Sequence, residues 1–178
     1  METTKKWSVD TTHSKVQFSV KHMVIAQVTG EFQKYDLNIK KMNGSFESAE
    51  VEFSIDTDTI NTGIEDRDKH LKSADFFDVG KFPKIYFKST SIKKVDDETY
   101  KMTGDLTIKN VSKPIELNVS YGGQIVDPWG NIRAGYNIEG TINRFDYDLT
   151  WNNLIETGGA VVGKKVKINT DIEIVTPK

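Results

Sequence analysis

Apolar and polar residues alternate along most of this chain with the period of two that is typical of β-strands. In the first long run, Val16, Phe18, Val20 and His22 share one face, and the residues between them are polar. Similar stripes recur towards the C-terminus, and turn-forming residues such as glycine, asparagine and proline separate them. The pattern predicts about eight to ten strands at hairpin spacing, in an antiparallel barrel or sandwich.

One stretch breaks the alternation. Between Thr62 and Asp78 the chain is charged and helix-prone, and it contains the aromatic pair Phe76 and Phe77. Thr62 and Glu65 have the spacing of a capping box, which predicts a helix start at this place. Because open sheet edges pair with other molecules, a helical segment here is suited to cover the mouth of what the strands enclose. We predict a short helical insertion around residues 63–78.

Composition limits the classes of function. The 178 residues fit a single domain, 1–178, and 28% charged with 37% hydrophobic residues is a soluble globular balance. A net charge of -2 gives no overall attraction to nucleic acid, and the lack of cysteine excludes disulfides and thiol catalysis. No apolar run has membrane length and no secretion signal is visible, so we expect no stable membrane insertion. The expected location is cytoplasmic, or periplasmic if a leader was removed.

The sequence contains few residues that are suited to binding a metal or a polar ligand group. His13, His22 and His70 lack a metal-binding spacing, so we predict no metal and no cofactor. His22 continues an inward stripe, either as a buried, hydrogen-bonded histidine or as a polar contact for a ligand. Arg67 and His70, three apart on the predicted helix, could together bind a phosphate at the cavity mouth. Alternatively, they pair with neighbouring aspartates and fix the insertion to the barrel.

The alternation alone leaves the interior open to two interpretations. A barrel of about eight strands can fill its interior with side chains or hold one ligand. The inward stripes combine bulky residues such as Phe53 with the small Gly140, which fits either case. If a cavity exists, its apolar wall favours an elongated hydrocarbon, because each buried methylene contributes about 0.8 kcal/mol.

Several segments resemble the YceI-like family, the lipocalin-like polyisoprenoid-binding domains of bacteria. These segments are 18–22 with 28–32 near the start, the insertion 67–78 followed by Phe82-Pro83, then 104–108, and 143–145. The resemblance covers nearly the whole chain in order. It implies an extended antiparallel barrel whose lumen holds an isoprenoid chain, often with a quinone or phosphate head, and frequently a homodimer.

We therefore predict an all-β, extended antiparallel lipocalin-like β-barrel that binds, stores or transports a long isoprenoid lipid, such as a polyprenyl phosphate or an isoprenoid quinone, without catalysis. Arg67 and His70 are the predicted head-group contacts. The residues predicted to line the lumen are Phe18, Val20, His22, Phe53, Phe87, Leu117, Tyr136 and Ile138. Two alternatives are a stress-response or interaction module with a packed core that acts through its surface, and an enzyme that acts on a lipid head.

Overall fold

The structure, a computed structural model, describes residues 5–152 and 161–178, and its strands form one antiparallel sheet. The single α-helix of the described residues, α1, spans Glu65–Lys72. The strands are β1 (Ser8–Val9), β2 (Lys15–His22), β3 (Ala26–Phe32), β4 (Tyr35–Lys40), β5 (Glu50–Asp56), β6 (Ile60–Asn61), β7 (Lys84–Lys94), β8 (Thr99–Ile108), β9 (Val111–Val126), β10 (Ile132–Asn143) and β11 (Val162–Thr176). The predicted all-β barrel with one helical insertion is confirmed. None of the described helices is long and apolar enough to span a bilayer.

The sheet curls because of how β3 and β4 are connected. The strand order is β4-β5-β7-β8-β9-β10-β11-β2-β3-β6, so β3 and β4 belong to opposite ends of it. Only Gln33 and Lys34 separate the two strands along the chain. Two residues cannot cross an open ten-strand sheet, since an extended residue spans only about 3.3 Å. The ends of the sheet must therefore lie close together, which curls the sheet into a barrel shape, although no strand pairing among the described residues joins β4 to β3 or β6.

Thr59 ties this seam together. Its Oγ1 accepts hydrogen bonds from the backbone N–H groups of Gln33, at 3.1 Å, and Lys34, at 3.0 Å. The same hydroxyl donates to the carbonyl of Asp56 at 2.7 Å. One side chain thus connects the bend between β3 and β4 to the end of β5.

The insertion covers one end of the barrel, which we call the helix end. Phe77 packs edge-on against Phe32 of β3, with ring centroids 5.9 Å apart, and the ring of Trp151 lies 4.6 Å from that of His70. The connection between β2 and β3 also lies at this end, because His22 pairs with Val162, and the carbonyls of Val162 and Trp151 both accept hydrogen bonds from Arg144.

The predicted capping box is wrong in detail. Ile64 is the N-cap residue of α1 and its side chain makes no capping hydrogen bond. Instead, the N–H and the hydroxyl of Thr62 donate to Oδ1 of Asp68, at 2.9 and 2.6 Å. Both donors of Thr62 thus bind one carboxylate of the first helical turn, while the carboxylate of Glu65 lies 3.1 Å from Nζ of Lys69.

Candidate functional site: an apolar cavity in the barrel

The inward stripes enclose a cavity of about 230 Å³. Its wall includes residues of β2, β4, β5, β7 to β11 and the insertion. Along β11 the lining residues run from Val162 to Ile174, a length of about 40 Å for an extended strand. Among the described lining residues, only Gln17, Tyr136, Arg144 and Thr170 carry a polar side-chain group. The interior is therefore partly empty, long and almost wholly apolar.

Most of the residues predicted for the lumen lie in this wall. They are Phe18, Val20, Phe53, Phe87, Leu117, Tyr136 and Ile138. Their inward parity along each strand agrees with this position in the wall. Whether they contact a ligand stays a prediction.

His22 differs from the prediction, because its side chain is exposed and does not line the cavity. It pairs with Ala26 and with Val162 at the outermost end of β2. The alternation continues correctly through the strand, but at this point β2 has passed the rim of the barrel. Strand parity predicts on which face of the sheet a side chain lies. It does not predict whether the barrel still encloses a cavity at the level of that residue.

Arg67 and His70 lie in the insertion, outside the cavity wall. Arg67 donates from Nε to Oγ1 of Thr62 at 2.7 Å and from Nη2 to the carbonyl of Thr62 at 2.8 Å. Nε2 of His70 lies 2.8 Å from Oδ2 of Asp75, as the aspartate-pairing interpretation predicts. Both side chains hold the insertion in shape, and their role as head-group contacts stays a prediction.

Arg144 is the site residue that sequence reasoning missed. It is 2% exposed, it lines the cavity, and its guanidinium donates to the carbonyls of Gly163, Leu149, Trp151 and Val162. No carboxylate among the described residues pairs with it. Burial lowers the pKa of Arg144, but an arginine remains protonated in proteins. Within residues 5–152 and 161–178, this positive charge at the helix end of the apolar cavity is thus balanced by carbonyl dipoles and by no carboxylate.

A signal for Arg144 was present in the sequence. Tyr136, Ile138 and Ile142 share the inward face of β10, and the same parity continued by two positions reaches Arg144. A charged residue on an inward stripe marks either a structural anchor or a polar contact for a ligand.

Three glycines, Gly30, Gly104 and Gly140, let bulky side chains lie against the wall, and Phe87 packs over Gly104 in this way. A Cβ atom built on Gly30 would lie 2.5 Å from Cζ of Phe18, and one on Gly140 would lie 2.5 Å from Cδ2 of Leu117. Phe18 and Leu117 thus lie over a glycine of the adjacent strand, in space that the side chain of any other residue at the glycine position would fill. Lying flat in this way, they leave the centre of the barrel open.

The opposite end of the barrel, the network end, contains an ion-pair network around Arg133. Its Nη1 lies 2.6 Å from Asp10 and 2.7 Å from Glu173, and its Nε lies 2.8 Å from Asp127. Hydrogen bonds from His13 and Arg133 lower the pKa of Asp10 to about 2. Desolvation opposes the same shift at Asp127, but hydrogen bonds from Arg133 and Asn131 outweigh it and hold the pKa at about 2.

This network also contains a group with metal-ligand spacing. The ligand atoms of Asp10, His13 and Glu173 lie within 4.8 Å of one another. The guanidinium of Arg133 already binds both carboxylates and supplies the positive charge that a cation would bring. The arrangement is explained by the ion pairs.

Comparison with known proteins shows what the chain is similar to. Residues 7–174 match the model of the YceI-like domain. A UPF0312 protein of Pectobacterium carotovorum is 39% identical over 147 residues, which are 82% of this chain and 75% of that protein. The crystal structure of the Campylobacter jejuni YceI protein has a TM-score of 0.76 and 32% identity, and the match covers 89% of this chain and 90% of that one.

A third similarity concerns the fold alone. A polyisoprenoid binding domain from Saccharophagus degradans, implicated in plant cell wall breakdown, has a TM-score of 0.69 at 18% identity, with 98% of this chain and 100% of that domain covered. The curled antiparallel sheet agrees with these matches. The chain belongs to the YceI-like family.

Proposed function

We propose that this protein binds a long isoprenoid lipid with the tail inside the barrel, and that it stores or transports this lipid without chemistry of its own. The observation that carries the proposal is the cavity, whose wall is apolar along most of the barrel. The polyisoprenoid binding domain from Saccharophagus degradans has the same fold and supports the proposed ligand class.

The physical basis is burial of the tail. Nanomolar binding requires about -12 kcal/mol, which corresponds to roughly 500 Å² of net apolar burial before ordering costs. A long hydrocarbon chain can supply that area without any polar contact. The apolar wall therefore discriminates between lipid tails by their length and thickness, whereas polar groups discriminate between lipid head groups.

Arg144 suggests where the head lies. Its four hydrogen bonds to carbonyls use four of the five N–H groups of a guanidinium, and the residue lines the cavity. A charge in a low-dielectric wall attracts an anion more strongly than the same charge in water. The proposed ligand is thus a lipid with an anionic head, such as a polyprenyl phosphate, placed at the helix end. Arg67 and His70, on the insertion at that end, are proposed as further head contacts.

Ligand recovery tests the proposal directly. The purified protein, extracted with organic solvent, should release a prenyl lipid that mass spectrometry identifies, and the emptied protein should take up a polyprenyl phosphate. Repeated recovery of an empty protein that takes up no such lipid would contradict the proposal.

A pair of variants on one strand separates a ligand cavity from a packed core. Leu117→Trp fills the cavity and should weaken lipid uptake at least tenfold, which corresponds to about 1.4 kcal/mol. The matched control, Asn118→Trp, changes the adjacent exposed residue of β9 and should leave uptake unchanged. If the interior is a packed core, Leu117→Trp will instead lower the free energy of unfolding by about 1–3 kcal/mol, and neither protein will take up lipid.

The predicted homodimer is a separate proposal. Sedimentation of the purified protein with and without bound lipid measures the mass directly, and a monomer under both conditions would contradict it.

A further inference from the structure

The connection between β2 and β3 exposes three consecutive apolar side chains. Met23, Val24 and Ile25 are 38%, 57% and 92% exposed. Single exposed apolar residues are common on protein surfaces. Three in succession at the tip of a hairpin form a contiguous apolar surface, and such surfaces mark interaction sites.

The backbone of this connection does not suit the residues that it contains. Met23 has a φ of 54° and Val24 a φ of 68°. A β-branched residue such as valine rarely adopts this left-handed region, whereas glycine or asparagine adopts it readily. Strain of this kind is found where a side chain serves a purpose other than folding. The apolar side chains at the tip are therefore accompanied by a locally less stable backbone.

The segments of β2, β3 and β11 next to the tip contain basic residues and no acidic ones. Residues 15–30 and 161–168 contain lysines and a histidine, but no aspartate and no glutamate. Lys21 precedes the tip, and Lys164 and Lys165 follow Val162, which pairs with His22. All three lysines are exposed, and no ion pair among the described residues includes them.

The tip lies beside the end of the cavity that Arg144 marks. The N–H of Met23 donates to the carbonyl of Val161 at 2.9 Å, and Nη2 of Arg144 donates to the carbonyl of Val162 at 3.1 Å. Val162 itself lines the cavity, as does Val20 in β2. A surface in contact with the tip would thus lie next to the helix end of the cavity.

We propose that the basic hairpin tip, formed by residues 23–25 with Lys21, Lys164 and Lys165, docks on a membrane surface that contains anionic lipids. The apolar side chains would enter the boundary between head groups and acyl chains, and the lysines would contact the anionic head groups. This goes beyond lipid binding in the cavity, because it names the surface at which a lipid enters or leaves. Docking requires no ligand in the cavity, so its failure and the failure of the proposed function are distinguishable.

Vesicle sedimentation with the full chain tests the docking. The protein should sediment with vesicles of phosphatidylcholine and phosphatidylglycerol, much less with phosphatidylcholine alone, and less at high salt because screening weakens the attraction. Each lysine near an anionic surface changes the affinity about fivefold. The double variant Lys164→Gln with Lys165→Gln should therefore weaken binding at least tenfold.

A second variant separates docking from folding. Met23→Asn combined with Val24→Gly removes two apolar side chains and also relieves the left-handed strain. Its thermal unfolding midpoint should equal or exceed that of the original protein, while its binding to the anionic vesicles falls at least tenfold. The matched control, Ile125→Ser with Trp129→Ser, removes side chains that are 65% and 79% exposed near the network end, and should leave vesicle binding unchanged.

Three results would overturn the proposal. The first is no sedimentation with the anionic vesicles, and the second is equal binding by the tip variant and the original protein. The third is a change in the mass of the protein without vesicles when the tip is altered, because the tip would then be an interface between two copies of this chain.

Discussion

Arg133 and Arg144 lie near the two ends of β10, about 35 Å apart for an extended strand, and they are bound in opposite ways. Arg133 lies among three carboxylates, which neutralise its charge. Arg144 lies among four backbone carbonyls, and no carboxylate in the part of the chain that the structure describes pairs with it. The same residue type thus fastens strands together at the network end, whereas at the helix end it also gives the cavity an electrostatic polarity.

The largest effect is expected from Arg144→Met. The substitution removes the donors for four carbonyls, and each buried polar group left without a partner costs about 1–3 kcal/mol. We expect the free energy of unfolding, measured by urea denaturation, to fall by about 3 kcal/mol or more. Because carbonyls do not titrate, this loss should be the same from acidic to neutral pH. Arg144→Lys keeps the charge with fewer donors and should lose less. A loss in Arg144→Met as small as that of an ordinary surface substitution would contradict this assignment.

A smaller and pH-dependent effect is expected from Arg133→Met. In the folded protein the pKa of Asp10 and that of Asp127 are lowered to about 2 from a usual value of 3.8. A lowered folded-state pKa gives stability that is complete above the usual pKa and lost as the pH falls towards 2. Arg133→Met raises both pKa values, so the variant should be clearly less stable at pH 7 and the difference should shrink below about pH 4.

Each of the two arginine variants serves as the experimental control for the other. Urea denaturation at a series of pH values should show a narrowing difference from the original protein for Arg133→Met and a constant one for Arg144→Met. A constant difference for both would mean that the carboxylates contribute little to the role of Arg133.

The smallest effect is expected from His13→Ala at the edge of the network. The hydrogen bond from His13 is the largest cause of the lowered pKa of Asp10, so its removal should raise that pKa, as measured by NMR titration of the carboxyl carbon. Asp10 in turn raises the pKa of His13 above 6.5. That contribution to stability is complete below pH 6.5 and is lost as the pH rises through the folded-state pKa of His13. The variant should therefore lack the decrease in stability that the original protein shows over this range.

Strand parity predicted the cavity wall because it is a local property. It placed Phe53, Leu117 and Tyr136 correctly without knowledge of which strands pair. It failed at His22, because the height at which a strand passes the rim depends on the tilt and register of its neighbours. Arg144 could have been found, since it continues the inward face of β10 beyond the end of the strand.

The closure of the barrel was beyond prediction from these patterns. Nothing in the residues around Gln33 and Lys34 indicates that β3 pairs with β2 while β4 pairs with β5 at the other end of the sheet. The role of Thr59 in that seam depends on contacts that only the assembled sheet creates. The exchange of partners by Thr62, from Glu65 to Asp68, likewise required the actual path of the chain into α1.

The pairing of β2 with β11 has a consequence for how the molecule forms. Val20 pairs with Val166, so β2, which is synthesised early, cannot complete its pairing until β11, which is synthesised last, is present. Contacts between residues so distant along the chain slow folding, because the entropy of closing a long loop is lost before the contact stabilises anything. During translation one edge of β2 remains unpaired until β11 has left the ribosome, and in that interval this edge can pair with other chains.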